Sequence, residues 1–286
     1  MLGVIGGSGL YDLPGIEGVR AVRVTTPFGV PSDDLRTGRL GGVEVAFVPR
    51  HGRGHTILPS EINFRANIYA LKELGVEFLV SVGAVGSLRE ELPPGSVVVP
   101  DQFIDRTVAR QSTFFGGGVV AHVSLADPVC PVLSATLADA AQSAGGAVRR
   151  GGTYICMEGP QFSTRAESNV YRQLGADVIG MTNWQEAKLA REAEMCFASL
   201  SMVTDYDCWK EDESAVVVED ILRILHDNAD LARLAVAGVA GTLPAQRACG
   251  CASALENAII TNRDEIGPEA RARLGVIIGK YVKGEP

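Results

Sequence analysis

No apolar run in this chain of 286 residues approaches the ~20 residues that a helix needs to cross a bilayer, and Met1 leads straight into a strand-like Leu2–Ile5 without a charged preface. Neither a membrane partner nor a secretory leader is expected, and the sequence reads as cytoplasmic. Positive charge is also scarce. With 26 Lys and Arg against 34 Asp and Glu, a formal net charge of −8 offers no basic footprint for a phosphodiester backbone, so no nucleic-acid partner is expected. Six cysteines are too few for a disulfide scaffold at this length, and reduced thiols follow. Cys249 and Cys251, one glycine apart, fit neither a zinc ribbon nor a C-x-x-C redox pair, and a surface loop accounts for them equally well. Linkers, repeats and low-complexity tracts are missing too, and Gly116–Gly118 reads as a mobile loop rather than a boundary.

What the chain does have is 46% hydrophobic residues in short runs separated by helical patterns, the mark of an α/β layer fold. Strands are predicted at Leu2–Ile5, Val43–Val48, Phe78–Val82, Val97–Val99, Asp177–Ile179 and Cys196–Val203. Several are apolar on both faces, so helices should cover both sides of the sheet. Helices are predicted over Ser60–Leu74 with Ser60 as N-cap, from the capping box Thr164/Glu167 to before Gly175, and over Pro131–Ala144, Gln185–Glu194, Val217–Ala240 and Ala252–Asn262. The length permits one large α/β domain or two small ones, and no linker marks a boundary between them.

Chemistry-bearing groups cluster after predicted strands. Gly6-Gly7-Ser8-Gly9 could cradle an anion or form a plain tight turn; it lacks the last glycine of a dinucleotide fingerprint. Gly83-Ala84 ends a second strand in the same manner, where ligands gather in open α/β sheets. Arg50-His51 could face a phosphate dianion or form a surface pair. His51 and His55 lack the glutamate of H-E-x-x-H, so no metal site is expected there. Asp205 and Asp207, one residue apart at a strand end, suit acid chemistry because two close carboxyls cannot both ionise cheaply; an Asp-rich turn is the equal alternative.

Taken in order, GGSGL, TPFG-PSD, RHG, Asn63 to Asn67, GSLREE, DQFIDRT, EGPQFSTRAES and TDYDCWKE resemble the methylthioadenosine phosphorylases, from residue 3 to about residue 240. These belong to the trimeric purine nucleoside phosphorylase superfamily, which implies a single domain over residues 1–286 with a central mixed sheet flanked by helices on both faces, C-terminal helices from about residue 214, and phosphorolysis of methylthioadenosine to adenine and methylthioribose 1-phosphate. The alternative is a purine nucleoside or methylthioinosine phosphorylase of broader base specificity. The resemblance implies phosphate binding by Ser8, Arg50, His51, Gly83, Ala84 and Thr182, with Met181 against the ribose and Phe162 on the purine face. It also implies Asp205 and Asp207 at N7 and the exocyclic amine, with a protonated Asp205 as the acid. Relatives that prefer 6-oxopurines carry Asn in place of Asp205 and Glu in place of Ser163; Ser163 and Val218 accompany a methylthio pocket. His122 resembles a residue that reaches in from a neighbouring subunit, so a homotrimer or homohexamer is implied. Neither metal nor organic cofactor is implied, inorganic phosphate being the co-substrate. The chain departs from the pattern at Gly83, where the animal enzymes have threonine, and at Asn183-Trp184-Gln185, which replaces Thr-Val-Pro; Cys249-Gly250-Cys251 resembles an element of some archaeal relatives.

Overall fold

The computed structural model describes residues 1–7, 10, 15–210 and 218–282, and from 218 to 227 the only side chain described is that of Ile224. The chain runs β1 (Leu2–Gly6), β2 (Ile16–Val22), β3 (Leu35–Leu40), β4 (Val43–Pro49), α1 (Phe64–Glu73), β5 (Phe78–Ser87), β6 (Ser96–Val99), β7 (Gln102–Arg106), α2 (Pro131–Ser143), β8 (Ala147–Arg150), β9 (Thr153–Met157), α3 (Arg165–Gln173), β10 (Val178–Gly180), α4 (Asn183–Glu192), β11 (Cys196–Asp205), α5 (Val218–Thr242) and α6 (Pro268–Ile278). All strands join one mixed sheet in the order β2-β3-β4-β1-β5-β10-β9-β7, with β11 and then β6 and β8 branching from β5.

The sheet divides the core by the period of two that strands impose. Along β5, Leu79 packs with helices α1, α4 and α6, while Phe78, Val80 and Val82 pack with α2 and α5; on β11, Phe197 faces the first group and Ala198, Leu200 and Met202 the second. Both faces are therefore covered, as the apolar runs require.

β5 holds the site together because its partners change along its length. Its first half pairs with β1 in parallel as far as Ser81, and its end pairs antiparallel with β10 at Gly86 and Ser87. Between those two contacts the described residues pair β5 with β11 alone, and the crevice over Gly83 and Ala84 lies in the gap between the pairings of β1 and β10. Ligand clefts of α/β sheets form at such changes of partner.

Several predicted boundaries shift. Helix α1 is capped by Asn63, whose side chain accepts from the Ala66 amide, and not by Ser60. Helix α4 begins at Asn183, two residues before the prediction, and Ala252–Asn262 forms a 3₁₀ turn and further turns in place of a helix, so α6 follows later than foreseen. The capping box of Thr164 and Glu167 forms as read. The strands β2, β3, β7, β8 and β9 were missed; on β2 the middle five residues are exposed, so no apolar run marked it. Gly116–Gly118 is a turn closed by a Gly116–Val119 bridge and held by Arg273, whose Nη2 donates to the Gly116 and Gly117 carbonyls.

Candidate active site

A cavity of about 470 Å³ opens over the crevice in β5. One end is suited to an anion. Gly7 after β1, Arg50 after β4, Gly83 and Ala84 in β5 and Thr182 before α4 all line it. Thr182 is the N-cap of α4 but makes no side-chain cap hydrogen bond, so its hydroxyl and the positive end of the helix are both available to a negative ligand.

Arg50 is almost wholly buried and fixed from several sides. Its Nε donates to Glu186 Oε1 at 2.5 Å and Nη2 to Glu186 Oε2 at 3.2 Å, Nη2 also donates to Ser81 Oγ at 2.7 Å, and Nη1 to the Val82 carbonyl at 3.1 Å. The fork that the sequence reading gave to phosphate thus embraces Glu186, and of the five guanidinium N–H groups it is an Nη1 hydrogen that is left for the cavity. A Cβ at Gly83 would stand 3.6 Å from this Nη1, an ordinary contact, so the glycine leaves room beside the guanidinium. Ser81 in turn donates to Glu186 Oε2 at 2.5 Å and accepts from Asn183 Nδ2 at 2.9 Å. Asn183 is therefore part of a buried polar network with Arg50, Ser81 and Glu186, while Gln185 bonds to Arg110 and Thr107 instead.

His51 is neutral over the physiological range. Burial, with Arg50 beside it, pushes its pKa down to about 4. Its Nδ1 lies 2.8 Å from the Ile57 carbonyl, so that nitrogen carries the hydrogen and Nε2 is left as an acceptor. The ring stacks on His55, which also lines the cavity.

The other end of the cavity carries the two aspartates. The register of β11 against β5 shifts between Val203 and Asp205, and this bulge turns the strand end inward. Gly86 permits the approach, since a Cβ there would meet Asp205 Oδ1 at 2.9 Å. Asp205 accepts from the Asp207 amide through Oδ1 and meets the Thr204 hydroxyl through Oδ2, each at 2.7 Å. Burial raises the pKa of Asp207; Ser168, Ser163 and the Cys208 amide counter this in part, but among the described residues Oδ2 is buried without a hydrogen-bond partner, and burial wins. Its backbone sits at φ +52°, a left-handed conformation that costs energy unless the surroundings impose it.

Met181 and Phe162 also line the cavity, Phe162 on its open side with 45% of its surface exposed. Arg110 underpins Met181 by donating to its carbonyl and, at 2.9 Å, to Gln185 Oε1, while its Nε pairs with Glu158. Ser163 backs the wall through Met157. His122 is exposed and outside the cavity of its own chain, its amide bonded to Ala258. Ser8 lies outside the described residues, as does the side chain of Val218. Sequence reasoning missed Glu186, Arg110 and His55. Glu186 had a signal: with Asn183 and Ala190 it lies on one stripe of α4, and a carboxylate buried there calls for a charged or hydrogen-bonding partner.

Residues 1–240 match the model of the Phosphorylase superfamily. The chain is 58% identical over 283 residues to S-methyl-5'-thioadenosine phosphorylase of Geobacter sulfurreducens, covering 99% of each chain. It is 57% identical to the enzyme of that name from Koribacter versatilis, covering 98% of this chain and 96% of the relative. Among solved structures, a methylthioadenosine phosphorylase from an antarctic soil metagenomic library superposes with a TM-score of 0.92 at 49% identity, over 96% of this chain and 98% of the other. Methylthioadenosine phosphorylase from Schistosoma mansoni in complex with adenine gives 0.81 at 36% identity, over 86% and 93%.

Proposed function

The chain belongs to the phosphorylase superfamily, and on that premise we propose that it cleaves S-methyl-5'-thioadenosine with inorganic phosphate to adenine and 5-methylthioribose 1-phosphate. The observation that carries this reading is the presence, in one cavity, of an anion corner at the start of α4 and a carboxyl pair at the end of β11. Phosphate in that corner has one oxygen directed at the anomeric carbon. As that oxygen bonds to carbon, the glycosidic C–N bond breaks, its electron pair passes to the purine, and a proton from the carboxyl pair neutralises the base at N7. Positioning and charge stabilisation supply most of the acceleration; the proton adds a factor of ~10²–10⁴.

Thr182, Arg50 and the backbone at Gly83 and Ala84 hold phosphate in this reading, and Ser8 joins them by resemblance. Neutral His51 contributes an acceptor, which suits a phosphate hydroxyl or a sugar hydroxyl and not a bare oxyanion. Burial raises the pKa of Asp207, so in this reading Asp207 delivers the proton to N7 in place of the Asp205 that the resemblance implies, and Asp205 meets the adenine amine edge or passes that proton on. Phosphate is itself the nucleophile, so the reaction calls for no cofactor. The active form is a homotrimer or homohexamer in which His122 of a second copy closes the open side near Phe162, with Ser163 and Val218 shaping the methylthio end.

The test is turnover of methylthioadenosine, adenosine, inosine and methylthioinosine, with and without phosphate. Adenine release from methylthioadenosine should depend strictly on phosphate and exceed release from the other three. Phosphate-independent binding without turnover, or a preference for the 6-oxopurines, would overturn the reading.

A further inference from the structure

At the opposite end of β11, about 30 Å from Asp205 along the strand, the fold brings together four of the six cysteines: Cys130, Cys196, Cys249 and Cys251, whose Sγ atoms all lie within 4.8 Å of one another. They come from three places in the chain. Cys196 opens β11; Cys130 caps α2 and its amide bonds to the Phe197 carbonyl at 2.8 Å; Cys249 and Cys251 flank the start of the 3₁₀ turn Gly250–Ser253 that follows α5. Cys130, Cys196 and Cys251 are buried and Cys249 is half-buried. A turn has no packing reason to aim two thiols at two others.

We propose that these four cysteines form a structural zinc site. A tetrahedron of sulfurs around zinc, with Zn–S near 2.3 Å, has edges of about 3.8 Å. The cluster is of that size, and small adjustments of side-chain torsion would centre it. Cys196 and Cys249 are 3.3 Å apart, well beyond the ~2.05 Å of a disulfide, and all six cysteines are free thiols. Four thiolates select a soft, four-coordinate ion and leave no open position, so the metal has no part in turnover. Binding releases four protons, one from each thiol, and leaves a net charge of −2 on the cluster. Donors for that charge are in place. The Leu133 amide in the first turn of α2 donates to Cys130 Sγ at 3.4 Å, and Arg191 Nη1 donates to Cys251 Sγ at 3.8 Å.

The spacing of Cys249 and Cys251 gave no metal signal because half of the ligand set lies elsewhere in the sequence. Zinc would pin the segment after α5 to the central strand. That segment continues into Leu255, whose amide bonds to Glu194, and into Ala258 and Ile259, which hold the stretch carrying His122.

The protein as purified without added metal is to be measured by inductively coupled plasma mass spectrometry and zinc-edge X-ray absorption. One zinc per chain, ligated by four sulfurs at ~2.3 Å, is expected. Cys249→Ser should lose most of the zinc and melt at lower temperature, with methylthioadenosine turnover at 25 °C within a few-fold of the parent. Substoichiometric zinc accompanied by four freely titrating thiols would overturn the site, as would an intact mass lower by the hydrogens of two disulfides, or iron in place of zinc. Should Cys249→Ser fail to fold, the metal content and sulfur count of the parent protein still decide.

Discussion

Asp205 and Asp207 differ by one residue in sequence and by their whole environment in the fold. Asp205 is hydrogen-bonded to Thr204 and to the Asp207 amide, whereas burial raises the pKa of Asp207. A general acid works only while protonated, so if Asp207 is that acid its raised pKa keeps it competent to higher pH, and kcat/KM should fall as pH climbs through it. Asp207→Asn is expected to lower methylthioadenosine turnover by ~10²–10⁴ and to abolish that alkaline fall. Asp205→Asn should also cost orders of magnitude in turnover, and it should shift preference toward 6-oxopurines because its NH₂ presents a donor to the base. Full pH profiles of both variants on adenine and hypoxanthine nucleosides check this. An Asp205→Asn enzyme within a few-fold of the parent on adenine nucleosides would remove Asp205 from the mechanism, and an Asp207→Asn enzyme that behaves likewise would remove the acid.

The ends of β4 and α4 act as one unit through Arg50 and Glu186. Both side chains are about 97% buried, and removing either leaves a buried charge uncompensated. Arg50→Ala is therefore expected to cost about 3–5 kcal/mol of stability, as broken buried pairs do, in addition to raising the KM for phosphate far more than that for nucleoside. Arg50→Lys retains the charge but cannot form the fork, so it should show the same kinetic split with a smaller loss of stability. Thermal denaturation and initial rates with each substrate varied separate the two effects. Equal rises in both KM values would mean that Arg50 only braces the fold.

At the scale of the whole molecule, the cavity is open beside Phe162, and His122 lies on the surface of its own chain. If a second copy supplies His122, mixing inactive Asp205→Asn chains with inactive His122→Arg chains should restore some turnover, since a mixed ring contains a site with an intact Asp205 and an intact neighbouring His122. Subunit exchange is verified by mass spectrometry and the assembly by light scattering. An active monomer, or exchanged mixtures that never regain turnover, would exclude the shared site.

The sequence by itself determined the α/β class, the apolar strands β1, β4, β5 and β11 and the capping box of α3, because period, apolar runs and cap chemistry are local properties of the chain. It also singled out the groups that line the cavity: Arg50, His51, Gly83, Thr182, Asp205 and Asp207. Edge strands such as β2 were not legible, since exposed residues leave no apolar trace. Only the tertiary structure decided where charge and protons reside. Arg50 meets Glu186, and Ser81 meets Asn183, across more than 100 residues of chain, and no local pattern records such a pairing. The same holds for the raised pKa of Asp207, which follows from burial, and for the four cysteines, whose meeting depends on α2, β11 and the segment after α5 packing at one end of the sheet. Burial and long-range pairing are properties of the packed chain, and they set the chemistry of groups that the sequence could only name.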